Sequence, residues 1–140
     1  MAELRIDRPR VLAILGAIEI CDQVEAPGGS TLLRVSPNEV MLVGTDDADG
    51  LRADVPGAAL VEAVSDGWVS FVLDGPDAPE AFTRVSELRL PETGWIQGDV
   101  ASAAAKVLVE AGRITILVPA NLAAHVEERL RTDAAEVLTR

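Results

Sequence analysis

The hydrophobic positions along the chain fall into short runs separated by turn-forming residues, a pattern typical of strands joined by tight turns. The clearest example is the pair of apolar runs TLLRV and VMLVG, which flank Ser36-Pro37-Asn38-Glu39. Proline fixes the backbone angle needed at the second position of a type I turn, and serine and asparagine are common beside it. Residues 31–44 are therefore predicted to form a β-hairpin.

Two further strand pairs are predicted later in the chain. Residues 58–64 and 68–73 are largely apolar and flank Ser65-Asp66-Gly67, in which the Asp-Gly step favours a tight turn. Residues 103–109 and 113–118 flank a second turn, Glu110-Ala111-Gly112-Arg113. The proline that follows, Pro119, is predicted to end the last strand.

Helical spacing predicts two helices in the second half of the chain. Asp74-Gly75-Pro76-Asp77 is predicted to start a helix that runs to about Ser86, because proline suits a first helical turn and acidic side chains stabilise its positive end. Asn121 is predicted to cap the second helix. The apolar face is Ala78, Ala81, Phe82 and Val85 in the first helix, and Leu122, Val126, Leu130, Ala134 and Val137 in the second.

Residues 8–22 fit two kinds of element. A helix is favoured because Asp7 can cap it, Pro9 is tolerated in its first turn, and apolar residues recur with helical spacing at Val11, Ile14, Leu15, Ile18 and Cys21. Gly16 and the β-branched isoleucines weaken that interpretation. A strand over residues 11–20 is the alternative.

Two polar segments are predicted to be loops. Residues 45–57, TDDADGLRADVPG, form a surface loop that can include a short helical turn. The DDADG stretch lacks the regular ligand alternation and the closing glutamate of an EF-hand loop, so no metal site is predicted there. Residues 88–98 are predicted to be an ordered loop that carries Trp95.

The predicted order is helix, hairpin, hairpin, helix, hairpin, helix, which is typical of the α+β class. We expect a two-layer fold with an antiparallel or mixed sheet, helices on one face, and a ferredoxin-like arrangement. A chain of 140 residues can bury a substantial core. Since no linker or low-complexity tract divides it, residues 1–140 are predicted to form a single domain.

Charge and composition limit the kinds of partner. The formal net charge is −11 and Lys106 is the only lysine, so nucleic acids and anionic membranes are disfavoured partners. Cys21 is the only cysteine, so neither an internal disulfide nor a cysteine metal cluster can form. No apolar run reaches transmembrane length, and the start MAELRIDRPR lacks the features of a signal peptide, so a cytoplasmic location is expected.

Few residues suit catalysis. His125 is the only histidine and lies in the predicted final helix. The chain contains no G-x-S-x-G motif, no phosphate loop with Walker spacing and no G-x-G-x-x-G. No catalytic residue and no metal ligand are therefore predicted, and whether the chain belongs to an enzyme stays open at this point.

Trp95, in the segment ETGWIQG, is the main candidate for a binding residue. A loop tryptophan can cover a pocket or contact a partner, and it can also close one end of the core. The candidate pocket residues are Trp95, Gln97 and Arg84.

Three stretches resemble the sarcosine oxidase gamma subunit family. SPNEVMLVG is similar to that family's G-P-D-E-W-L-L turn. VSDGWVSFVLDGPDAPEAF resembles its passage of V-S-D-G, strand, S-G-P-A-A and helix, which the folate-binding domain of glycine-cleavage T-proteins shares. Residues 87–130 follow the order of the family's last two strands and closing helix. The resemblance spans residues 31–130, and Gly75-Pro76 and Val118-Pro119 match best.

The chain also departs from that family's pattern. Leu90-Pro91 stands where the family has His-Pro, and Ala120-Asn121 stands where it has Arg-Ser. The polar contacts of those positions are therefore not carried over, whereas the apolar skeleton is kept.

The resemblance implies a fold like the folate-binding aminomethyltransferase domain. It also implies a non-catalytic accessory subunit of a sarcosine-oxidase-like complex, which oxidises an amine and is linked to tetrahydrofolate and one-carbon metabolism. The flavins, the oxidase chemistry and the tetrahydrofolate site are implied to reside in larger subunits. The expected partners are those flavin-containing subunits or a second copy of the chain. No cofactor is predicted to bind to this chain itself.

Two alternatives remain. The first is a stand-alone module that binds a folate or another one-carbon carrier, and it requires Trp95, Gln97 and an arginine to converge on one pocket. Tetrahydrofolate is its possible ligand by resemblance. The second is a hydrolase or transferase with an unfamiliar site, which requires His125 beside a carboxylate in a cleft.

Overall fold

The computed structural model describes residues 1–139. Its elements, in chain order, are β1 (Glu3–Asp7), β2 (Val11–Leu15), α1 (Ile18–Cys21), β3 (Thr31–Ser36), β4 (Glu39–Val43), α2 (Ala48–Asp54), β5 (Leu60–Ala63), β6 (Trp68–Asp74), α3 (Ala78–Thr83), β7 (Gly94–Val100), β8 (Ala103–Glu110), β9 (Arg113–Pro119) and α4 (Ala123–Asp133). Contacts group these elements into two compact units. We call Pro9–Asp66 the continuous unit, and Met1–Arg8 together with the chain from Gly67 onward the split unit.

The continuous unit is a four-stranded antiparallel sheet with the order β3–β4–β2–β5. Helix α1 follows β2 and helix α2 follows β4, which gives the β-α-β-β-α-β order of ferredoxin-like folds. Leu12 and Ile14 lie two residues apart on β2 and therefore share one face of the sheet. The buried cluster on that face is Leu12, Ile14, Val40, Leu42 and Val61 from the strands, with Cys21 and Leu51 from the helices.

The split unit is a five-stranded antiparallel sheet with the order β1–β6–β9–β8–β7. Strand β1 comes from the start of the chain and pairs with β6, so that Leu4 lies opposite Leu73. Helices α3 and α4 pack on one face of this sheet. The shared core contains Phe71, Val107 and Ile116 from the strands and Phe82, Val126 and Leu130 from the helices.

Both ends of the described chain are held in the split unit. The backbone N–H of Ala2 donates to Val137 O at 2.7 Å, and the N–H of Thr139 donates to Ala2 O at 2.7 Å. The terminal amino group of Met1 lies 2.7 Å from a carboxylate oxygen of Asp77, close to the start of α3. The N-terminal end of strand β1 is therefore held by backbone hydrogen bonds and an ion pair.

The α+β class is confirmed, and in each unit the helices cover one face of the sheet. The hairpins β3–β4 and β8–β9 and the strand end at Pro119 are confirmed. The predicted apolar faces are buried within both helices, but α3 ends at Thr83 and not near Ser86, and Val137 lies beyond the end of α4. The structure adds that the strands divide between two sheets. The prediction that residues 1–140 form one domain stays a prediction.

The favoured helix over residues 8–22 is wrong. Residues 11–15 form β2, and only Ile18–Cys21 is helical, so the strand alternative holds for the first part of the segment. Strand β2 is central and pairs with β4 and β5 on its two sides. The pairings decide the structure of this segment, because a short apolar run is compatible with both helical and strand periodicity. Asp7 lies in β1 and caps no helix.

The hairpin predicted around Ser65–Gly67 is also wrong. Both strands exist, but β5 belongs to the four-stranded sheet and β6 to the five-stranded sheet. The residues between them form a 3₁₀ turn, Ser65–Gly67. Ser65 Oγ accepts from the backbone N–H of Val11 at 2.9 Å, which anchors the end of this connection to β2.

Three local predictions need smaller corrections. Residues 94–98, expected in a loop, belong to strand β7, which spans Gly94–Val100. Asn121 does not cap α4, because Ala120–Leu122 forms a 3₁₀ turn and no side chain caps the helix that follows. The short helical turn allowed in residues 45–57 is α2, where Asp47 Oδ1 accepts from the backbone N–H of Gly50 at 3.0 Å. No helix in residues 1–139 has the length and hydropathy needed to span a membrane.

Candidate functional site

Alternation along the strands of the split unit gives its sheet two different faces. Ile96 on β7 and Val107 on β8 pack toward the helices. Trp95 and Gln97, their neighbours in sequence, therefore lie on the opposite face. We call this second face the tryptophan face and define it by Trp68, Trp95, Gln97 and Lys106.

Strand register brings these four side chains together. Gln97 lies directly opposite Lys106 across the β7–β8 pair, and Lys106 Nζ donates to Gln97 Oε1 at 2.9 Å. The same Nζ lies 5.9 Å from the centre of the Trp68 ring, within the range of a cation–π contact. Trp95 is two residues before Gln97 on the edge strand. The only lysine of the chain thus links a strand-borne amide to an indole ring.

The tryptophans and the phenylalanines have opposite environments. Phe71 is 1% exposed and Phe82 is fully buried, whereas Trp68 and Trp95 are only half-buried. Tryptophan combines a large apolar ring with one hydrogen-bond donor, which suits a surface that a partner covers. The tryptophan face is therefore the best candidate for a contact surface in the split unit.

A separate cavity of about 690 Å³ lies on the helix side of the same unit. The segment after α3, the β7–β8 turn and helix α4 form its walls. Its lining residues are Thr83, Arg84, Val85, Ser86, Glu87, Leu88, Asp99, Ala101, Ser102 and Arg129. The lining is mostly polar and includes side chains of both charges. We call it the arginine cavity.

The structure does not bring the three predicted pocket residues into one site. Arg84 follows α3 and lines the arginine cavity, where it pairs with Glu80 at 3.0 Å. Trp95 and Gln97 lie on the other face of the sheet. These three residues therefore do not fit a shared site for tetrahydrofolate, and a ligand role for each of them stays a prediction.

His125 lies on α4 and its ring contacts the backbone. Nε2 is 2.7 Å from Ala101 O, so this nitrogen carries the hydrogen and donates to the carbonyl oxygen. The described contact gives the imidazole a structural partner, and it is not a carboxylate in a cleft as the hydrolase alternative requires. Within residues 1–139, no group of three or more histidine, cysteine or carboxylate side chains has the geometry to hold a metal ion.

Sequence reasoning found Trp95 and Gln97 but missed Lys106 and Trp68 as their neighbours. The hairpin register could have identified Lys106, because the turn between β7 and β8 sets which residue lies opposite Gln97. Residues 88–98 were expected in a loop, so no strand register could be assigned to Gln97. Trp68 lies two strands away from Lys106 in the sheet, and no local signal reports such a pairing.

Comparison with known proteins identifies the fold. No protein-family model and no curated protein matches the chain. Among solved structures, a chain of the heterotetrameric sarcosine oxidase from Corynebacterium sp. U-96, in complex with pyrrole 2-carboxylate, is similar with a TM-score of 0.81. The similarity covers 96% of this chain and 84% of that one at 15% identity. The structural resemblance to sarcosine oxidase is thus confirmed, and at this identity it concerns the fold.

A second, weaker similarity connects the chain with aspartokinase. The structure of aspartokinase alpha and beta subunits matches with a TM-score of 0.52 and 11% identity, over 95% of this chain and 97% of that one. This likeness also concerns the fold alone. Its lower score makes sarcosine oxidase the better structural guide.

Proposed function

We propose that this chain is a non-catalytic accessory subunit that packs against larger, flavin-containing subunits of a sarcosine-oxidase-like complex. The similar fold in a heterotetrameric sarcosine oxidase supports the assembly. The observation that carries the proposal is the tryptophan face, where two half-buried indole rings and one lysine lie on a single sheet surface.

The composition of the tryptophan face suits a protein partner. Aromatic side chains of this kind dominate the energetics of many protein interfaces, because they bury a large area with few rotatable bonds. Thr115 and Pro119 of β9 are half-buried on the same side of the sheet, whereas Leu117 between them is fully buried, so these two residues add separate patches to the part of the face that a partner can reach. In this proposal a larger subunit covers the rings and desolvates the contact between Lys106 and Trp68.

Charge favours a different protein over a second copy of the chain. With a formal net charge of −11, two copies repel each other over distances comparable to the Debye length, about 8 Å at physiological ionic strength. A larger subunit with a basic surface is attracted by the same field. Self-association is therefore the less favoured of the two expected modes of assembly.

The test is purification of the tagged chain from its native cells. We expect larger chains to be recovered together with the visible absorbance of flavin and with sarcosine-type amine oxidase activity. Trp95→Ala should reduce recovery by at least about tenfold, since truncation of an interface tryptophan often removes 2 kcal/mol or more of binding energy. Trp95 is only half-buried, so the variant should fold.

Ile6→Ala is the matched control. Ile6 is 40% exposed on β1 of the same sheet, and it shares the helix-side face with Leu4. Its truncation should leave recovery unchanged. The proposal is wrong if the wild-type chain recovers no flavin-containing partner, or if the two variants lose recovery equally.

A further inference from the structure

The arginine cavity is walled by three segments that meet at one short turn. Ala101 and Ser102 connect β7 and β8, with Val100 paired to Ala103 on either side. Both residues have positive φ angles, 50° for Ala101 and 69° for Ser102. This is the geometry of a two-residue type I′ turn, which normally carries asparagine and glycine. An alanine and a serine hold it only because the surroundings fix the backbone.

Those surroundings are visible in the hydrogen bonds of Ala101. Its N–H donates to Val85 O at 2.7 Å, and its carbonyl accepts from His125 Nε2 at 2.7 Å. The segment after α3, the turn and helix α4 are thus joined at a single buried residue, which is 3% exposed. Ser102, the next residue, is left exposed at the cavity wall.

The same arrangement directs two guanidinium groups to the cavity. Arg129 lies four residues after His125 on α4 and so shares its side of the helix. It is oriented by Asp133, with Nε 2.7 Å from Oδ2, and the described contact leaves both terminal amino groups of the guanidinium unused. Arg84 is held by Glu80, one turn earlier on α3, through both Nε at 3.1 Å and Nη2 at 3.0 Å. Its Nη2 also lies 3.9 Å from a carboxylate oxygen of Glu136, so among the described contacts only Nη1 is left for a ligand.

We infer that the arginine cavity binds a small molecule carrying one carboxylate or phosphate group. Guanidinium groups favour such oxyanions because they present paired donors that match two oxygens. Ser102 Oγ lies in the same lining and can supply a hydroxyl group to a further oxygen, whereas the hydroxyl of Ser86 already donates to Asp99 O at 2.8 Å. The space of about 690 Å³ can hold a small molecule, and because it is open to solvent on one side, the remainder of that molecule would stay in contact with water.

The lining also limits the charge of the ligand. Glu87 and Asp99 lie at the cavity next to the two arginines. Their carboxylates disfavour a multiply charged anion, and they leave room for a ligand whose remainder is neutral or cationic. Because the cavity and the tryptophan face lie on opposite sides of the sheet, this inference is independent of the proposed subunit assembly.

The test is an NMR titration of the intact protein with sodium acetate, inorganic phosphate and, as a reference, sodium chloride at equal ionic strength. We expect saturable shifts of the backbone amides of Ser86 and Ser102 with acetate, phosphate or both, and none with chloride. Saturation by acetate alone assigns a carboxylate ligand, and saturation by phosphate alone assigns a phosphate ligand.

Substitutions then separate the cavity from ordinary surface binding. Arg129→Gln should weaken binding by about tenfold or more, because hydrogen bonds to a charged group are lost. Arg131→Gln is the control, since Arg131 lies on the same helix in an equivalent pair with Glu127 at 2.8 Å but outside the cavity lining. Arg84→Gln serves as a second cavity variant should Arg129→Gln not fold.

The inference is overturned if no anion gives saturable shifts at these amides or if chloride shifts them as strongly. It is equally overturned if a folded cavity variant and Arg131→Gln weaken binding to the same extent. That pattern would mean that anions gather at exposed arginines anywhere on α4.

Discussion

The cores of the two units are built from different kinds of side chain. The continuous unit, Pro9–Asp66, contains no aromatic residue, and its core is made of leucine, isoleucine, valine and one cysteine. The split unit contains all four aromatic residues of the chain, two buried phenylalanines and two half-buried tryptophans. An aliphatic core is enough to hold a small sheet, and in the split unit only the phenylalanines belong to the buried core, whereas both tryptophans keep part of their rings open to solvent.

The two units also differ in the sequence separation between the strands that pair. In the continuous unit, every strand pairs with another strand between Pro9 and Asp66. In the split unit, β1 pairs with β6 with Asp7 opposite Ser70, although the whole of Pro9–Asp66 separates the two strands in sequence. Such distant pairing carries a larger loop-closure entropy and forms more slowly than local pairing. The stability of the split unit therefore depends more strongly on burial of apolar side chains in its larger core.

The largest expected effect compares the two cores directly. Phe82→Ala in the split unit should lower the free energy of unfolding by about 3–5 kcal/mol, and Leu12→Ala in the continuous unit by about 2–5 kcal/mol, because each leaves a cavity at a fully buried site. Urea unfolding followed by circular dichroism measures both. If residues 1–140 form one domain, both variants shift a single transition, whereas two separate transitions would contradict that prediction.

A glycine in β7 should be the next most sensitive position. A Cβ at Gly98 would lie 2.5 Å from Leu88 Cδ2 and within 3.2 Å of two further atoms of that side chain. Gly98→Ala should therefore destabilise the split unit by about 1–3 kcal/mol through overpacking. Gly28→Ala in the continuous unit is the control, since nothing lies within 4 Å of its added Cβ. Equal midpoints in chemical denaturation would refute the packing argument at Gly98.

The imidazole of His125 should have a moderate effect on stability. His125→Ala removes the donor to Ala101 O and should lower the free energy of unfolding by about 0.5–1.5 kcal/mol. His125→Gln retains a donor and should recover part of that loss. Thermal unfolding by calorimetry measures the difference. An alanine variant as stable as wild type would show that the bond does not hold the β7–β8 turn.

The smallest expected effect has the opposite sign. Ser102→Gly should stabilise the protein by about 0.5–1 kcal/mol, since the left-handed backbone costs a serine roughly 1–2 kcal/mol and the greater freedom of unfolded glycine offsets part of the gain. Gly112→Ala in the β8–β9 turn, where φ is 72°, should destabilise by a similar amount. Melting temperatures that move in the same direction for both variants would contradict this account.

Local signals were sufficient for elements that depend on neighbours in sequence. The turn at Pro37 and the turn at Gly112 each predicted a hairpin that the structure contains. The apolar stripe around Val126 predicted the buried face of α4. In each case the residues that decide the structure lie within about one turn or one hairpin of each other.

Predictions failed where distant pairing decides the structure. β2 has apolar residues that fit a helix, and its position between β4 and β5 makes it a strand. Gly94 and Gly98 are unusual residues for a strand and favoured the prediction of a loop, whereas pairing with β8 keeps β7 extended. For the candidate site, Trp95 and Gln97 could be read from the sequence. The surface that these two residues form with Lys106 could not be predicted, because it depends on the β7–β8 register.

The backbone bridge between Ala2 and Leu138 has a practical consequence for engineering. Because both ends of the described chain are adjacent, a short peptide could join them, and new ends could be opened at the exposed Gly28-Gly29 step. Such a circular permutant would make β1 and α4 neighbours in sequence. A fluorophore pair attached near the present ends would start almost in contact and would report separation of β1 from its sheet.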